Sequence, residues 1–266
     1  MNPTPHQLWA AVEKLRASCP LVLNLTNYVV MNNTANALLA LGASPVMAHA
    51  AAEQAEFAAF AGAVVLNIGT LDEAWIPRFH TAAAAARAAG KPIVLDPVGA
   101  GASKLRTETA YALMRDGVAV LRGNASEVMA LNNAGGAGRG VDSLQSGADA
   151  LDSARALAKR HGCVVSVSGE TDYIVSPEGG LCRIRNGHAM MPRVTGLGCT
   201  ASAVTGAFCA VADPFTAAVA AMAVMGVAGE IAAASSPGPG TLQLRFLDTL
   251  YALDEAAFKS TLRLDA

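Results

Sequence analysis

The amino-acid sequence predicts one α/β domain across residues 1–266, with a mostly parallel sheet and helices on both of its faces. Short β-branched runs alternate with longer segments rich in Ala and Leu at helical spacing, which is the pattern of strand–helix–strand units. Several short runs are apolar throughout rather than alternating, as expected for strands buried on both faces. The length fits one such domain, and no linker or charge block marks an internal boundary.

Strands and helices alternate in the prediction up to residue 168. The strands are expected at residues 21–25, 45–48, 64–68, 93–96, 118–122 and 163–168. The helices are expected at residues 32–41, 51–61, 71–89, 107–115 and 146–161. After them, residues 173–175 and 181–184 flank a Ser-Pro-Glu-Gly-Gly turn and predict a hairpin at the sheet edge. Three or four helices are expected from residue 199 onward.

The composition excludes several classes of protein. Hydrophobic residues make up 53% and charged residues 15% of the chain, which excludes a disordered polypeptide. The net charge of −2 leaves no basic excess to neutralise a phosphate backbone, so we expect no nucleic-acid partner. The apolar stretch 217–229 is short for a membrane span and rich in Ala and Gly, so we expect a buried helix and no membrane partner.

The N-terminus and the cysteines predict the location of the protein. The first residues lack the cationic start and the apolar run of a signal peptide. The five cysteines are odd in number and form no CxxC pair, which favours neither a disulfide framework nor a zinc site. We therefore expect free thiols in the reducing cytoplasm.

The strongest local signal is a Gly-x-Gly turn at residues 196–198, followed by Cys199 and a long apolar helical run. Such a turn lets the backbone approach a ligand closely, and the first amides of a helix can hold an anion such as a phosphoryl group. Cys199 would lie at the helix N-terminus, where the pKa of a thiol is expected to fall. The alternative interpretation is a tight turn followed by a small, packed cysteine.

Two further strands end in residues suited to a metal–phosphate site. Asp96 closes an apolar run before a Gly-rich turn, so its carboxylate can face Mg²⁺ at the carboxyl edge of the sheet. Arg122 ends the next run and offers a planar fork for phosphate oxygens. Glu127, early in the following helix, can be a second acidic group at the metal. The alternatives are caps, with Asp96 in a turn or helix cap and Glu127 as the capping-box partner of Asn124.

A fourth strand end carries Ser168 and Gly169, which can offer a hydroxyl and an amide to a nucleotide phosphate, although a plain turn is the alternative. Together these features suit phosphoryl transfer, which depends on positioning and charge neutralisation. The chain has no GxxxxGKS/T motif, and no GxGxxG follows the first strand, so neither a P-loop nor a dinucleotide site is predicted. The Gly-rich stretches 134–140 and 235–240 are expected to be loops.

The order of these motifs resembles the ribokinase-like superfamily and, within it, the hydroxyethylthiazole kinase family. The shared motifs are Asp-Pro-Val-Gly-Ala-Gly at 96–101, Arg-Gly-Asn-x-x-Glu at 122–127, Ser-Gly-Glu at 168–170 and Thr-Gly-x-Gly-Cys at 195–199. Segments 25–32, 37–48 and 66–71 carry the family-specific part of the resemblance, which spans about residues 8–255. Cys199, where most ribokinase-like enzymes have Asp, is typical of the thiazole kinases.

The resemblance implies a single-domain ribokinase-like kinase that uses ATP and Mg²⁺. The implied substrate is 4-methyl-5-(2-hydroxyethyl)thiazole in thiamine biosynthesis or salvage, and the implied assembly is a homotrimer with active sites between subunits. The matching positions take implied roles: Met47, Gly196 and Asn27 contact the thiazole, Arg122 and Ser168 contact ATP, Asp96 and Glu127 serve Mg²⁺, and Cys199 is the catalytic residue beside the substrate hydroxyl.

Two positions depart from the family's usual pattern. Leu197 stands where Ala is usual and is expected to reshape the pocket floor, whereas Ser168 keeps the hydroxyl of the usual Thr. Three alternatives remain: a kinase of another small heterocyclic alcohol of the hydroxymethylpyrimidine or pyridoxal type, a ribokinase-like nucleotide-dependent dehydratase, and a non-catalytic nucleotide-binding protein. Cys199 argues against the dehydratases, which typically carry Asp in that turn. The intact Asp96, Arg122 and Glu127 argue against a non-catalytic protein.

Overall fold

The computed structural model describes residues 2–135 and 147–265, and its strands form one mixed sheet. The strands are β1 Leu21–Leu25, β2 Ser44–Val46, β3 Ala63–Asn67, β4 Ile93–Asp96, β5 Val120–Asn124, β6 Val164–Ser168, β7 Asp172–Val175, β8 Leu181–Ile184 and β9 Leu264–Asp265. Their order across the sheet is β2-β1-β3-β4-β5-β6-β7-β8-β9. Strands β1 to β6 pair in parallel, and β6 to β9 pair antiparallel.

Helices connect and cover these strands. In the described ranges they are α1 Pro5–Ser18, α2 Met31–Leu41, α3 Ala51–Phe60, α4 Trp75–Ala88, α5 Lys104–Arg115, α6 Ala125–Ala134, α7 Gly147–His161, α8 Leu197–Cys209, α9 Pro214–Ala233, α10 Pro239–Ala252 and α11 Glu255–Thr261. Each parallel strand from β1 to β5 is followed by a helix, as strand–helix–strand units require. The predicted α/β fold class is therefore confirmed.

The elements differ from the prediction mainly at their ends. Helix α4 begins at Trp75 rather than residue 71, because Asp72 Oδ1 accepts a hydrogen bond from the Trp75 backbone N–H at 2.9 Å. Helix α1 and strand β9 were not predicted, and β9 pairs with β8, so the predicted hairpin lies one strand in from the sheet edge. Of the two predicted loops, 134–140 lies mostly outside the described residues, and 235–240 runs into α10 at Pro239.

Hydrophobic cores cover both faces of the sheet. Alternate residues of one strand point to opposite faces, so Val22 and Leu23 of β1 belong to different clusters. One cluster packs against α1, α2 and α8 to α11, and the other against α3 to α7. Each buried Val or Leu contributes about 1.5–3 kcal/mol. Burial on both faces explains why these strands read as continuous apolar runs.

Helix α9 contains the apolar stretch whose composition fits either a membrane span or a buried core helix. It is long and apolar enough to cross a membrane, and 78% of its most apolar window is buried inside the fold. Its sequence is hydrophobic on all sides because it packs between α8, α10 and the sheet. The structure therefore places it as the core helix that the sequence predicts.

Candidate active site

Five of the predicted site residues lie at the carboxyl ends of neighbouring strands. Asp96 and Ser168 are the last residues of β4 and β6. Arg122 does not end its strand as predicted but lies two residues before the end of β5, the strand between them. Asn27 follows β1 by two residues, and Met47 follows β2 by one. Because β1 to β6 run in parallel, all these ends meet at one edge of the sheet, where ligands bind in open α/β folds.

Asp96 is a buried carboxylate held by two side-chain donors. It is 1% exposed, and its Oδ2 accepts hydrogen bonds from Asn67 Nδ2 at 2.7 Å and Ser202 Oγ at 2.8 Å. Burial raises the pKa of Asp96 to about 6, while the positive charge of Arg122 opposes that rise and Glu127 adds to it. Arg122 and Glu127 therefore both lie close enough to act on the Asp96 carboxylate.

Glu127 fills the capping box that was its alternative role. Its Oε2 accepts from the Asn124 backbone N–H at 2.9 Å, and Asn124 Oδ1 accepts from the Glu127 N–H at 2.9 Å. Its Oε1 also accepts from the Gly99 backbone N–H at 2.9 Å. Glu127 thus ties the start of α6 to the loop that follows Asp96. Each oxygen keeps a further lone pair, so capping and a cation contact are compatible.

Arg122 connects β6 with the start of α8. It is 7% exposed, and its Nη2 donates to Ser168 Oγ at 2.7 Å. A Cβ placed on Gly198 would lie 3.1 Å from Arg122 Nη1, so the guanidinium packs closely against this glycine at the start of α8. The buried Nε has no hydrogen-bond partner within the described part of the chain. An unpaired guanidinium donor at this edge suits an incoming phosphate oxygen.

Cys199 lies in the first turn of α8, and its predicted low pKa is wrong. Burial of the thiol, followed by the negative charge of Asp96, raises the pKa of Cys199 to about 11. Asn27 Nδ2 donates a hydrogen bond to Cys199 Sγ at 3.4 Å. The sequence motif reveals the helix terminus, but it does not reveal the burial and the nearby carboxylate that act against the thiolate.

The turn before α8 brings Gly196 against the start of α2. Gly196 has φ +86°, and a Cβ there would lie 2.7 Å from Val30 Cγ1. Both the left-handed backbone and this contact require glycine. Leu197 packs against the apolar cluster and lines a cavity shared with Ala37 and Phe246. Its side chain therefore lies beside residues of α2 and α10.

The acidic groups fit a hard divalent cation. Asp96 and Glu127 are two carboxylates at one strand edge, and no cluster of three His, Cys, Asp or Glu side chains suited to a metal occurs in residues 2–135 and 147–265. Mg²⁺ commonly uses one or two carboxylates and takes its remaining ligands from water and substrate phosphates. The two carboxylates are therefore the kind of partial protein ligand set that Mg²⁺ uses, and not a complete protein cage.

Three buried polar residues at the site were missed by the sequence reasoning. Asn67 Oδ1 accepts from Asn27 Nδ2 at 2.9 Å, and Ser202 bonds Asp96 from one turn beyond Cys199. Asp172, 6% exposed, accepts from the Gly169 N–H at 2.9 Å, and burial raises its pKa to about 7 against the opposing charge of Arg122. A polar residue closing the apolar run 63–66 was the available signal for Asn67. Asp172 gave no such signal.

The model of the hydroxyethylthiazole kinase family matches residues 12–256 of this chain. The chain belongs to the hydroxyethylthiazole kinase family. One relative, hydroxyethylthiazole kinase of Aliivibrio salmonicida, is 55% identical over 260 residues, covering 97% of each chain. The protein is therefore a kinase, and the predicted family and enzyme class are confirmed.

Two solved structures superpose on this chain, one of them from the same family. The structure of hydroxyethylthiazole kinase from Pyrococcus horikoshii superposes with a TM-score of 0.91 and 41% identity, covering 97% of this chain and 98% of that one. A ribokinase-like superfamily protein from Enterococcus faecalis superposes with a TM-score of 0.62 at 13% identity, covering 87% and 86%. The second likeness shows the ribokinase-like fold alone, and it agrees with the predicted fold class.

Proposed function

We propose that this kinase transfers the γ-phosphoryl group of ATP to the primary alcohol of 4-methyl-5-(2-hydroxyethyl)thiazole. The observation that carries the proposal is the convergence of Asp96, Arg122 and Cys199 at one sheet edge in a member of this family. Phosphoryl transfer asks mainly for positioning and charge stabilisation. The cluster contains both signs of charge and a helix N-terminus, which are the elements needed.

Arg122, Ser168 and the start of α8 form the phosphate-binding part of the proposed site. Arg122 presents an unpaired buried Nε and an Nη1 beside the α8 terminus, while Ser168 holds Nη2. The first amides of α8 have no partners within the helix and carry a partial positive charge. In the proposed site these donors would stabilise charge on the equatorial oxygens of the transferred group.

Asp96 and Glu127 would hold Mg²⁺, with the loop at 97–99 set between them. When bound, the cation neutralises charge on the ATP phosphates and orients them. Glu127 also fixes that loop through the Gly99 N–H, so it serves the site structurally in either case. Asn67 and Ser202 keep the Asp96 carboxylate in one orientation.

Asn27, Met47, Gly196 and Cys199 form the proposed alcohol side of the site. Asn27 donates to Cys199 Sγ, so the sulfur lies against the residue expected to contact the thiazole. With a pKa of about 11, Cys199 is a thiol at neutral pH. The proposed base is the minor thiolate form, which takes the hydroxyl proton and becomes a thiol as the substrate oxygen bonds to phosphorus and the bond to ADP breaks. Because the transition state is loose, this proton transfer is needed late in the step.

A coupled assay of ADP release with a panel of alcohols tests the substrate. We expect turnover with hydroxyethylthiazole and none with pyridoxal or hydroxymethylpyrimidine under the same conditions. Preference for either of the other alcohols would contradict the proposed substrate while keeping the kinase. ADP release that requires hydrated nicotinamide cofactor and no alcohol would instead indicate the dehydratase.

We propose a cytoplasmic homotrimer with active sites between subunits. Tyr28 and Val29, directly after Asn27, are 57% and 64% exposed, and Leu39 and Phe60 are also more than half exposed. Tyr28 and Val29, beside the proposed alcohol side, suit a surface that another subunit covers. All five cysteines are free, which fits a reducing compartment.

Light scattering at micromolar concentration is expected to give about three times the chain mass of 27.0 kDa. The apolar surface beside Asn27 is the physical reason, because its burial between subunits is favourable. A stable monomer of 27.0 kDa that turns over at full rate would contradict both the trimer and the shared site.

A further inference from the structure

We infer that Arg106 is a positioning residue whose guanidinium holds together the two loops that carry opposite sides of the active site. Arg106 lies half-buried in the first turn of α5. Its Nη1 donates to the carbonyl oxygens of Val98 at 2.7 Å and Ile68 at 3.1 Å. Its Nη2 donates to Gly69 O at 2.6 Å. One side chain thus bonds the loop after β3 and the loop after β4.

The loop after β3 leads to the alcohol side. The Gly69 N–H donates to Asn67 Oδ1 at 3.0 Å, and a Cβ on Gly69 would lie 2.5 Å from Asn27 Nδ2. Gly69 therefore packs closely against the side-chain amide of Asn27, which also donates to Cys199 Sγ. By donating to Gly69 O, Arg106 fixes the backbone segment that packs against the Asn27 side chain.

The loop after β4 leads to the metal side. Val98, whose carbonyl Arg106 binds, stands between Asp96 and Gly99, and the Gly99 N–H donates to Glu127 Oε1. Gly99 has φ +78°, and a Cβ there would lie 3.0 Å from Arg106 Cδ. The loop thus passes directly over the Arg106 side chain, which holds the backbone linking the two proposed magnesium carboxylates.

The chemistry of the contact favours arginine. All three hydrogen bonds go to backbone carbonyls, and in the described ranges no carboxylate forms an ion pair with Arg106. A planar guanidinium can donate in several fixed directions at once, whereas an ammonium is a compact point charge. Lysine would keep the charge but would not reproduce the three-carbonyl geometry. The two loops would then move independently.

Arg16 provides a matched control. Its Nη1 donates to Leu253 O at 2.8 Å and its Nη2 to Leu250 O at 3.1 Å, so it also bonds two carbonyls without touching any residue of the proposed site. Arg106→Lys and Arg106→Gln can therefore be compared with Arg16→Lys. Any loss caused only by breaking guanidinium–carbonyl bonds should appear in both proteins.

The inference rests on the proposed function, so the test uses two readouts. With hydroxyethylthiazole and ATP, Arg106→Lys is expected to lower kcat about 10–100-fold with the KM for the alcohol nearly unchanged, because displaced reacting groups lose rate more than binding. Arg16→Lys should keep the wild-type kcat. Hydrogen exchange, which needs no turnover, should become faster at residues 68–70 and 97–101 in Arg106→Lys alone.

The outcomes separate the two claims. If the wild-type protein phosphorylates no alcohol, the proposed function fails, and hydrogen exchange at the two loops still decides the role of Arg106. Unchanged exchange at both loops would overturn the inference, as would equal loss of kcat in Arg106→Lys and Arg16→Lys. If neither Arg106 variant folds, the residue acts in stability and the inference fails.

Discussion

Asp96→Asn is expected to lower kcat by about 10² or more and to weaken the dependence of the rate on Mg²⁺. Loss of a residue that only supports a metal ligand typically costs about 10–100-fold, so loss of a direct ligand should cost at least as much. The substituted side chain keeps a carbonyl oxygen that can accept from Asn67 Nδ2 and Ser202 Oγ. The change therefore removes charge and preserves shape. A magnesium titration of kcat measures it.

The stability of Asp96→Asn separates a functional loss from a folding defect. Burial raises the pKa of Asp96 from 3.8 to about 6, so the folded protein binds this proton more tightly than the unfolded chain. The stabilisation from this group is complete below about pH 3.8 and is lost as the pH rises through about 6. At pH 7 the variant should be at least as stable as the wild type, with a smaller advantage near pH 4. Wild-type kinetics and magnesium dependence would show that Asp96 is not a metal ligand.

Glu127→Gln is the comparison for the second carboxylate. Glutamine has one acceptor oxygen, whereas Glu127 accepts from both the Gly99 and the Asn124 backbone N–H groups. We expect weaker magnesium dependence together with a lower melting temperature, because one of the two amides loses its partner. A lower melting temperature with unchanged magnesium dependence would leave Glu127 as a cap alone.

Cys199→Ala is expected to lower kcat about 10²–10³-fold with little effect on ATP binding. That loss is within the usual range for general base catalysis, and the loose transition state keeps it from being larger. The backbone amide of residue 199 remains in the first turn of α8, so its contribution to the phosphate-binding site is retained. Single-turnover kinetics and calorimetric titration with ATP measure the two effects separately. Turnover of the alanine variant at the wild-type rate would make Cys199 a packing residue.

Cys199→Asp is the partner variant and should remain active, because a carboxylate can take the same proton. The two proteins should differ in pH dependence. Since the pKa of Cys199 is raised to about 11, its thiolate fraction grows about tenfold per pH unit below that value, and the wild-type kcat should rise with pH in the alkaline range. Cys199→Asp should be flat there. The same flat profile in both proteins would indicate that the amide, and not the sulfur, carries the role of this position.

The predicted strands agree with the structure because their signal is local. Residues 21–25 and 93–96 are apolar or nearly so throughout, as strands covered on both faces must be, and the structure has them at those bounds. The starts of α4 and α5 were misplaced because they depend on local hydrogen bonds to single side chains. Asp72 accepts from the Trp75 N–H just before α4, and Ser103 caps α5. Strand β9 was missed because its two residues are defined by their pairing with β8.

The candidate site was predictable where a motif places a residue at a strand or helix end. Asp96, Arg122 and Ser168 lie on neighbouring parallel strands, so their order along the chain brings them to one edge. Asn67, Arg106 and Asp172 were not found, because their roles come from partners 8 to 40 residues distant in sequence or from burial. No spacing rule connects Arg106 to the carbonyl of Gly69.

The sequence by itself determined the fold class, the family and the residue types at the strand ends, because periodicity and short motifs are properties of neighbouring residues. Only the tertiary structure decided the state of those residues. The pKa of Cys199 is raised although the residue lies in the first turn of a helix, because the thiol is buried and Asp96 lies nearby. Glu127 holds two backbone amides, and Arg106 spans two loops. These outcomes depend on distances between segments far apart in the chain, and packing alone sets those distances.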